Sequence, residues 1–113
     1  MNKRKVGAAF EQTAAAYLEK QGYRILESNF RCRLGEIDLV AKDGEYLVFV
    51  EVKYRANESM GTPFAAVNGK KQATIRRVAQ VYLMAHHLPE DLPCRFDVVG
   101  ITGTEISLIR DAF

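Results

Sequence analysis

Residues 36–54 read EIDLVAKDGEYLVFVEVKY: two runs of strand-forming residues, Glu36 to Ala41 and Tyr46 to Tyr54, held apart by Lys42, Asp43, Gly44 and Glu45. Branched and aromatic side chains pack well on a pleated surface, and Asp-Gly is a strong hairpin-turn signal. An antiparallel hairpin is expected. With the turn made by Asp43 and Gly44, Lys42 faces Glu45, and counting outward pairs Asp38 with Phe49 and Glu36 with Glu51. Side chains alternate along a strand, so Glu36, Asp38, Glu51 and Lys53 should share one face. Ile37, Leu39, Val48, Val50 and Val52 should share the other.

Like charges opposed across a hairpin are destabilising, so a patch of three acids needs a compensating cation. Lys53 supplies part of it, and a bound ion could supply the rest. Oxygen-only ligands favour a hard ion such as Mg2+ or Mn2+, which keeps some of its waters and binds substrate phosphates. On that reading Asp38 and Glu51 hold the metal, and Lys53 orients a water or stabilises charge in phosphodiester hydrolysis. The same alternation fits a solvated hairpin face with an exposed Glu51–Lys53 ion pair contributing less than about 1 kcal/mol.

Upstream of the hairpin, Phe10, Ala14, Tyr17 and Leu18 recur at helical spacing between Val6 and Gln21, and Gly22 supplies a stop. Tyr23 to Phe30 reads as a strand of mixed polarity, suited to a sheet edge. Downstream, Ala56 to Gly61 is polar and small and reads as a surface loop, after which Thr62 and Pro63 suit a helix start. From Lys70 to His87, Ile75, Val78, Ala79, Tyr82, Leu83 and His86 trace an apolar stripe at spacings of three and four, as on a helix lying on a sheet. Arg95 to Ile101 and Glu105 to Ile109 read as two last strands, with Gly103 in the turn. The order is α-β-β-β-α-β-β. The expected fold class is α/β, a mixed sheet of about five strands flanked by helices.

A chain of 113 residues suits one domain, residues 1–113. Its 48% hydrophobic and 27% charged content is that of a globular protein and too apolar for a disordered one. The net charge of +2 is a weak pointer to nucleic acid, so local clustering must carry that case. Cys32 and Cys94 stand far apart without a CxxC, which points away from zinc and disulfides and toward a reduced, cytoplasmic protein. The basic start, Met1 to Lys5, is followed by an apolar run that ends at Glu11, too short for a secretory signal, and no stretch approaches a membrane span.

Glu11 falls on a partly apolar side of the first helix, where an acid is unexpected; it either joins the acidic patch or complements the helix dipole. Arg31, Arg33, Arg55, Lys70, Lys71, Arg76 and Arg77 could contact phosphates, and for the last four a solvated helix face explains the charge as well. His86 and His87 end the second helix, where cations suit the dipole. The five tyrosines are scattered over expected core positions and make no base-stacking platform.

The string Gly35-Glu36-Ile37-Asp38-Leu39-Val40, followed by Phe49-Val50-Glu51-Val52-Lys53-Tyr54-Arg55, resembles the PD-(D/E)XK nuclease superfamily, in which an acid on one strand precedes Glu-X-Lys on the next. Here Ile37 stands where that motif has proline. From about Val6 to Ile109 the chain is similar to the YraN family of small bacterial proteins, themselves distantly similar to archaeal Holliday junction resolvases. That similarity includes Glu11, Asn29-Phe30-Arg31, Phe64 to Lys71 and Arg95-Phe96-Asp97-Val98-Val99. It implies a restriction-endonuclease-like fold and a metal-dependent endonuclease acting on DNA, branched or flapped substrates included. Asp38 and Glu51 correspond to the metal ligands, Lys53 to the motif lysine, Glu11 to the helix acid that completes the site, and Glu36 to an auxiliary acid. The match at the start of the second helix puts Lys71 and Gln72 first among candidate DNA contacts, with Lys70, Arg31 and Arg55 beside them. A symmetric homodimer would present two such sites to a branched substrate. A non-catalytic DNA-binding module of the same fold and a protein-interaction scaffold remain open alternatives.

Overall fold

The computed structural model describes residues 3–57, 59 and 61–113, and residues 3–6 and 66 by their backbone only. In chain order the elements are α1 (Lys3–Lys20), β1 (Arg24–Cys32), β2 (Gly35–Asp43), β3 (Tyr46–Arg55), a 3-10 turn (Pro63–Ala66), α2 (Gly69–Ala85), β4 (Cys94–Thr102) and β5 (Glu105–Ile109). The five strands lie side by side in sequence order, β1 to β5. All neighbours are antiparallel except β3 and β4, which run parallel because α2 makes the crossover between them. The expected α/β class and element order are thus observed, with β1 at the sheet edge. The expected loop Ala56–Gly61 lies in part outside the described residues. No described helix is long and apolar enough to cross a membrane.

Each helix covers one face of the sheet. Ala14 and Leu18 of α1 pack with Leu39, Ala41, Val48, Val50, Val99 and Ile101. Ile75, Val78, Ala79 and Tyr82 of α2 pack with Val40, Leu47, Phe49 and Val98 on the other face. Residues 47–51 of β3 are therefore all buried, which is why its first half, Tyr46 to Val50, reads as a continuous apolar run that ends at Glu51. The α2 stripe ends one turn earlier than its spacing suggests: His86 is exposed, stacks on Tyr82 and lies 3.5 Å from Glu27. Gly22, at φ 97, ends α1 with the Tyr23 N–H donating to Leu18 and its own N–H to Glu19, and this paired closure turns the chain into β1.

Two expectations about the hairpin need correction. Asp43 pairs with Tyr46, Val40 with Phe49 and Leu39 with Val50, so the expected pairs Asp38–Phe49 and Glu36–Glu51 are out by two residues. The turn residues are Gly44 and Glu45, with Gly44 first at φ 59; a glycine leading the turn supplies the positive φ that a two-residue hairpin needs. A slip of two leaves the alternation intact. Counted onward, this register brings Asp38 level with Glu51.

Ile37 is the second correction. It packs in the layer under α2, whereas Leu39 packs under α1, so the two do not share a face. The alternation slips at Asp38, between the pairs Ser28–Leu39 and Phe30–Ile37, across from Asn29 at φ 56. A left-handed residue in an edge strand bends the local pleat and redirects its neighbours.

Toward the hairpin-turn end of the sheet, the α1 layer encloses a polar network. Asp97, 0% exposed, accepts hydrogen bonds from Tyr23 Oη (2.6 Å), from Arg95 Nε and Nη2 (each 2.9 Å) and from the Asp111 N–H (2.9 Å). Arg95 also reaches Asp43 at 2.7 Å. Burial, and then its bond to Asp97, pushes the Tyr23 phenol up to about 12, and the two aspartates hold the Arg95 guanidinium firmly charged.

Candidate functional site

The β2–β3 ladder stops at the pair Leu39–Val50, and beyond it the Val52 N–H donates to Asp38 Oδ2 (2.8 Å) instead of to the facing backbone. The strands part there. β3 continues against β4 as far as the pair Arg55–Thr102, while β2 continues against β1 to the pair Cys32–Gly35. The opening is a cleft of about 270 Å³ lined by Glu11, Glu36, Asp38, Glu51, Lys53 and Lys71, together with Gly7, Phe10, Val52 and Tyr54. Where β2 and β3 part, the cleft thus gathers at one point acids that flanking apolar residues hold in place.

Two groupings share the cleft. One oxygen each of Glu11, Glu36 and Asp38 lies within 4.8 Å of the other two. Glu51, only 4% exposed, receives Lys53 Nζ at 3.2 Å and Lys71 Nζ at 3.7 Å, both on Oε1. Asn68 caps α2 by accepting from the Lys71 N–H (3.0 Å), and Gln72 Nε2 ties the helix start to the Val67 carbonyl (3.0 Å). This anchoring brings Lys71 over β3. A solvated, exposed Glu51–Lys53 pair is not what forms. A buried carboxylate is costly unless paired, and here it has two cationic partners.

Among the described residues the other three acids are less fully compensated. Burial, and then the Glu51 charge, raises Asp38 to about 7, with Glu11 and Glu36 adding to the rise and the Val52 N–H opposing it. Glu11 is also raised, by burial first and then by Glu36 and Glu51, against the Asn29 side chain and Arg31. Glu36 is partly answered by Arg31 Nε at 2.6 Å. A cation placed among these oxygens would relieve the repulsion, and the donor set is wholly oxygen, as Mg2+ or Mn2+ prefers. By chemistry the residues present fit such an ion.

A pH dependence follows. Asp38 titrates near 7 in the folded chain against 3.8 for a free aspartate. Between those values the folded state binds the extra proton, so its stabilising contribution is complete below about pH 4 and is lost as pH rises through 7. Without divalent metal, Asp38→Asn is expected to be more stable than the natural protein at pH 8. The gain should be about 1–3 kcal/mol, since one pKa unit corresponds to about 1.4 kcal/mol and coupling to the other acids absorbs part of it. At pH 4 the two should unfold alike. Urea unfolding at both pH values checks this.

Of the residues picked out from the sequence, Glu11, Glu36, Asp38, Glu51, Lys53 and Lys71 come together in the cleft. Gln72 does not point there; it supports the helix start. Lys70 is exposed on α2, Arg55 turns to the Tyr54 carbonyl (3.1 Å), and Arg31 meets the cleft at its Glu36 edge. The reading that every tyrosine sits in the core is also corrected: Tyr46 and Tyr54 are exposed, and Tyr54 stacks on Phe10 at the cleft wall. Phe10 and Tyr54 directly adjoin Glu11 and Lys53 in sequence, a signal that helix and strand periodicity alone does not pick up.

A family model described as "Uncharacterised protein family UPF0102", the family of the YraN proteins, matches residues 10–101. Several proteins named UPF0102 protein are similar over nearly the whole chain. That of Lachnoclostridium phytofermentans is 54% identical, covering 100% of this chain and 96% of the relative. That of Syntrophus aciditrophicus is 49% identical over 96% and 88%, and that of Caldicellulosiruptor bescii 49% over 100% of each.

Proposed function

The chain belongs to the UPF0102 family, and on that footing we propose that it is a divalent-metal-dependent endonuclease that hydrolyses phosphodiester bonds in DNA. The observation that carries this reading is the meeting of Glu11, Asp38 and Glu51 with Lys53 and Lys71 where β2 and β3 part. Asp38, Glu51 and Glu11 are the residues that would hold Mg2+ or Mn2+, with Glu36 in support. Such an ion supplies Lewis-acid polarisation of the phosphate and a water of lowered pKa.

The protein's own groups do the rest. Val52 fixes the Asp38 carboxylate by donating its N–H to one carboxylate oxygen. Lys53 stands 3.2 Å from Glu51, close enough to place a positive charge where negative charge builds on a phosphate oxygen during attack. Lys71, on α2, can hold the adjoining phosphate.

One observation favours a second reading. Glu51 already has two lysine partners, as it would in a DNA-binding module whose acid only positions basic side chains. The test is incubation of labelled linear, flapped and four-way DNA with the natural protein in Mg2+ or Mn2+ and in chelator. The nuclease reading expects products in metal alone. Salt-dependent DNA binding with no product from any substrate would leave the binding module.

A further inference from the structure

Phe10 and Tyr54 form one wall of the cleft that holds the acids and lysines. Their ring centroids are 3.8 Å apart and the planes lie within 17° of parallel. Tyr54 pairs with Ile101, whose side chain belongs to the α1 layer, so alternation sends the ring to the α1 side while the Lys53 amine stays at Glu51. The stack holds the ring in place, and Tyr54 remains 36% exposed.

One cleft therefore offers a fixed aromatic surface beside two amines. A nucleotide has the matching chemistry, a flat base one sugar away from an anionic phosphate. We propose that the Phe10–Tyr54 pair is a base-stacking subsite that takes an unpaired nucleobase adjoining the phosphates that Lys53 and Lys71 face. The inference rests on the nucleic-acid reading above and narrows it. A paired base already has both faces covered, so it must be extruded before it can stack on a side chain, whereas a base in a flap, overhang or junction reaches the ring at little cost. Stacking is indifferent to base identity because every base has a π-face, so the subsite selects for strand structure and not for sequence.

The test uses the full chain in calcium in place of magnesium. The probe is 2-aminopurine, placed either in a single-stranded overhang or within a fully paired duplex. Binding of the overhang to the natural protein and to Tyr54→Phe is expected to change the fluorescence of the unpaired probe, because both keep the ring. Tyr54→Leu should weaken overhang binding about tenfold while leaving duplex affinity unchanged. Phe10→Leu should show the same overhang-selective loss, so the result does not hang on one variant; thermal midpoints check that each variant folds. Equal weakening on both substrates, or no weakening on either, overturns the subsite. If duplex DNA is still cut in magnesium, the nuclease reading survives that failure. Absence of nucleic-acid binding in every arm overturns both.

Discussion

Asp97→Ala is expected to destabilise the protein by about 3–5 kcal/mol, the range for removing one partner of a buried ion pair. Asp97 is fully buried and accepts from Tyr23, from Arg95 and from the Asp111 N–H. Its loss would leave those donors facing an apolar layer, with Arg95 retaining, among the described residues, Asp43 as its acidic partner. The network ties the start of β1 to β4 and to the chain beyond β5, so the effect should be global. Urea unfolding followed by circular dichroism should show a lower midpoint with an unchanged slope. Asp97→Asn keeps the shape and one acceptor and should cost less. A midpoint unmoved by the alanine variant would mean that the network contributes nothing net.

On the proposed nuclease reading, Glu51→Ala should lower the rate of cleavage about a thousandfold or more, since it would remove a carboxylate proposed to hold the ion and with it the several kcal/mol a Lewis acid supplies. Lys53→Met should lower kcat by about 10²–10³, the usual effect of removing one group that stabilises charge in the transition state. The two should differ in a second readout. The methionine variant should still bind Mn2+ because the carboxylates are intact, whereas the alanine variant should bind it weakly. Melting curves separate both from unfolding. An activity that persists in either variant would place the chemistry elsewhere.

Much of this was legible from residues 36–54, because strand periodicity depends only on neighbours in sequence. The alternation of acids and valines gave the hairpin and the shared face of Asp38, Glu51 and Lys53. The register was not legible, since Asp-Gly and Gly-Glu each make a two-residue turn and a slip of two preserves every face. Nor was the displacement of Ile37, which arises at Asn29 on a neighbouring strand. Contacts between elements distant in sequence were hidden for the same reason: Tyr23 meets Asp97 from 74 residues away, and Phe10 of α1 meets Tyr54 of β3. Glu11 was ambiguous as a lone acid on a helix. Its half-buried place beside Asp38 and Glu36 puts it at the cleft.

Whether the cleft is a metal centre or an acidic pocket neutralised by its own lysines is decided by titrating Mn2+ into the full chain at pH 7.5, a value chosen to lie about half a unit above the Asp38 midpoint, with binding followed calorimetrically. The natural protein is expected to bind the ion, Asp38→Asn and Glu51→Gln to weaken it at least about tenfold, and Lys53→Met to retain it. No binding by the natural protein, or binding that neither acid substitution alters in a folded chain, would contradict the metal centre.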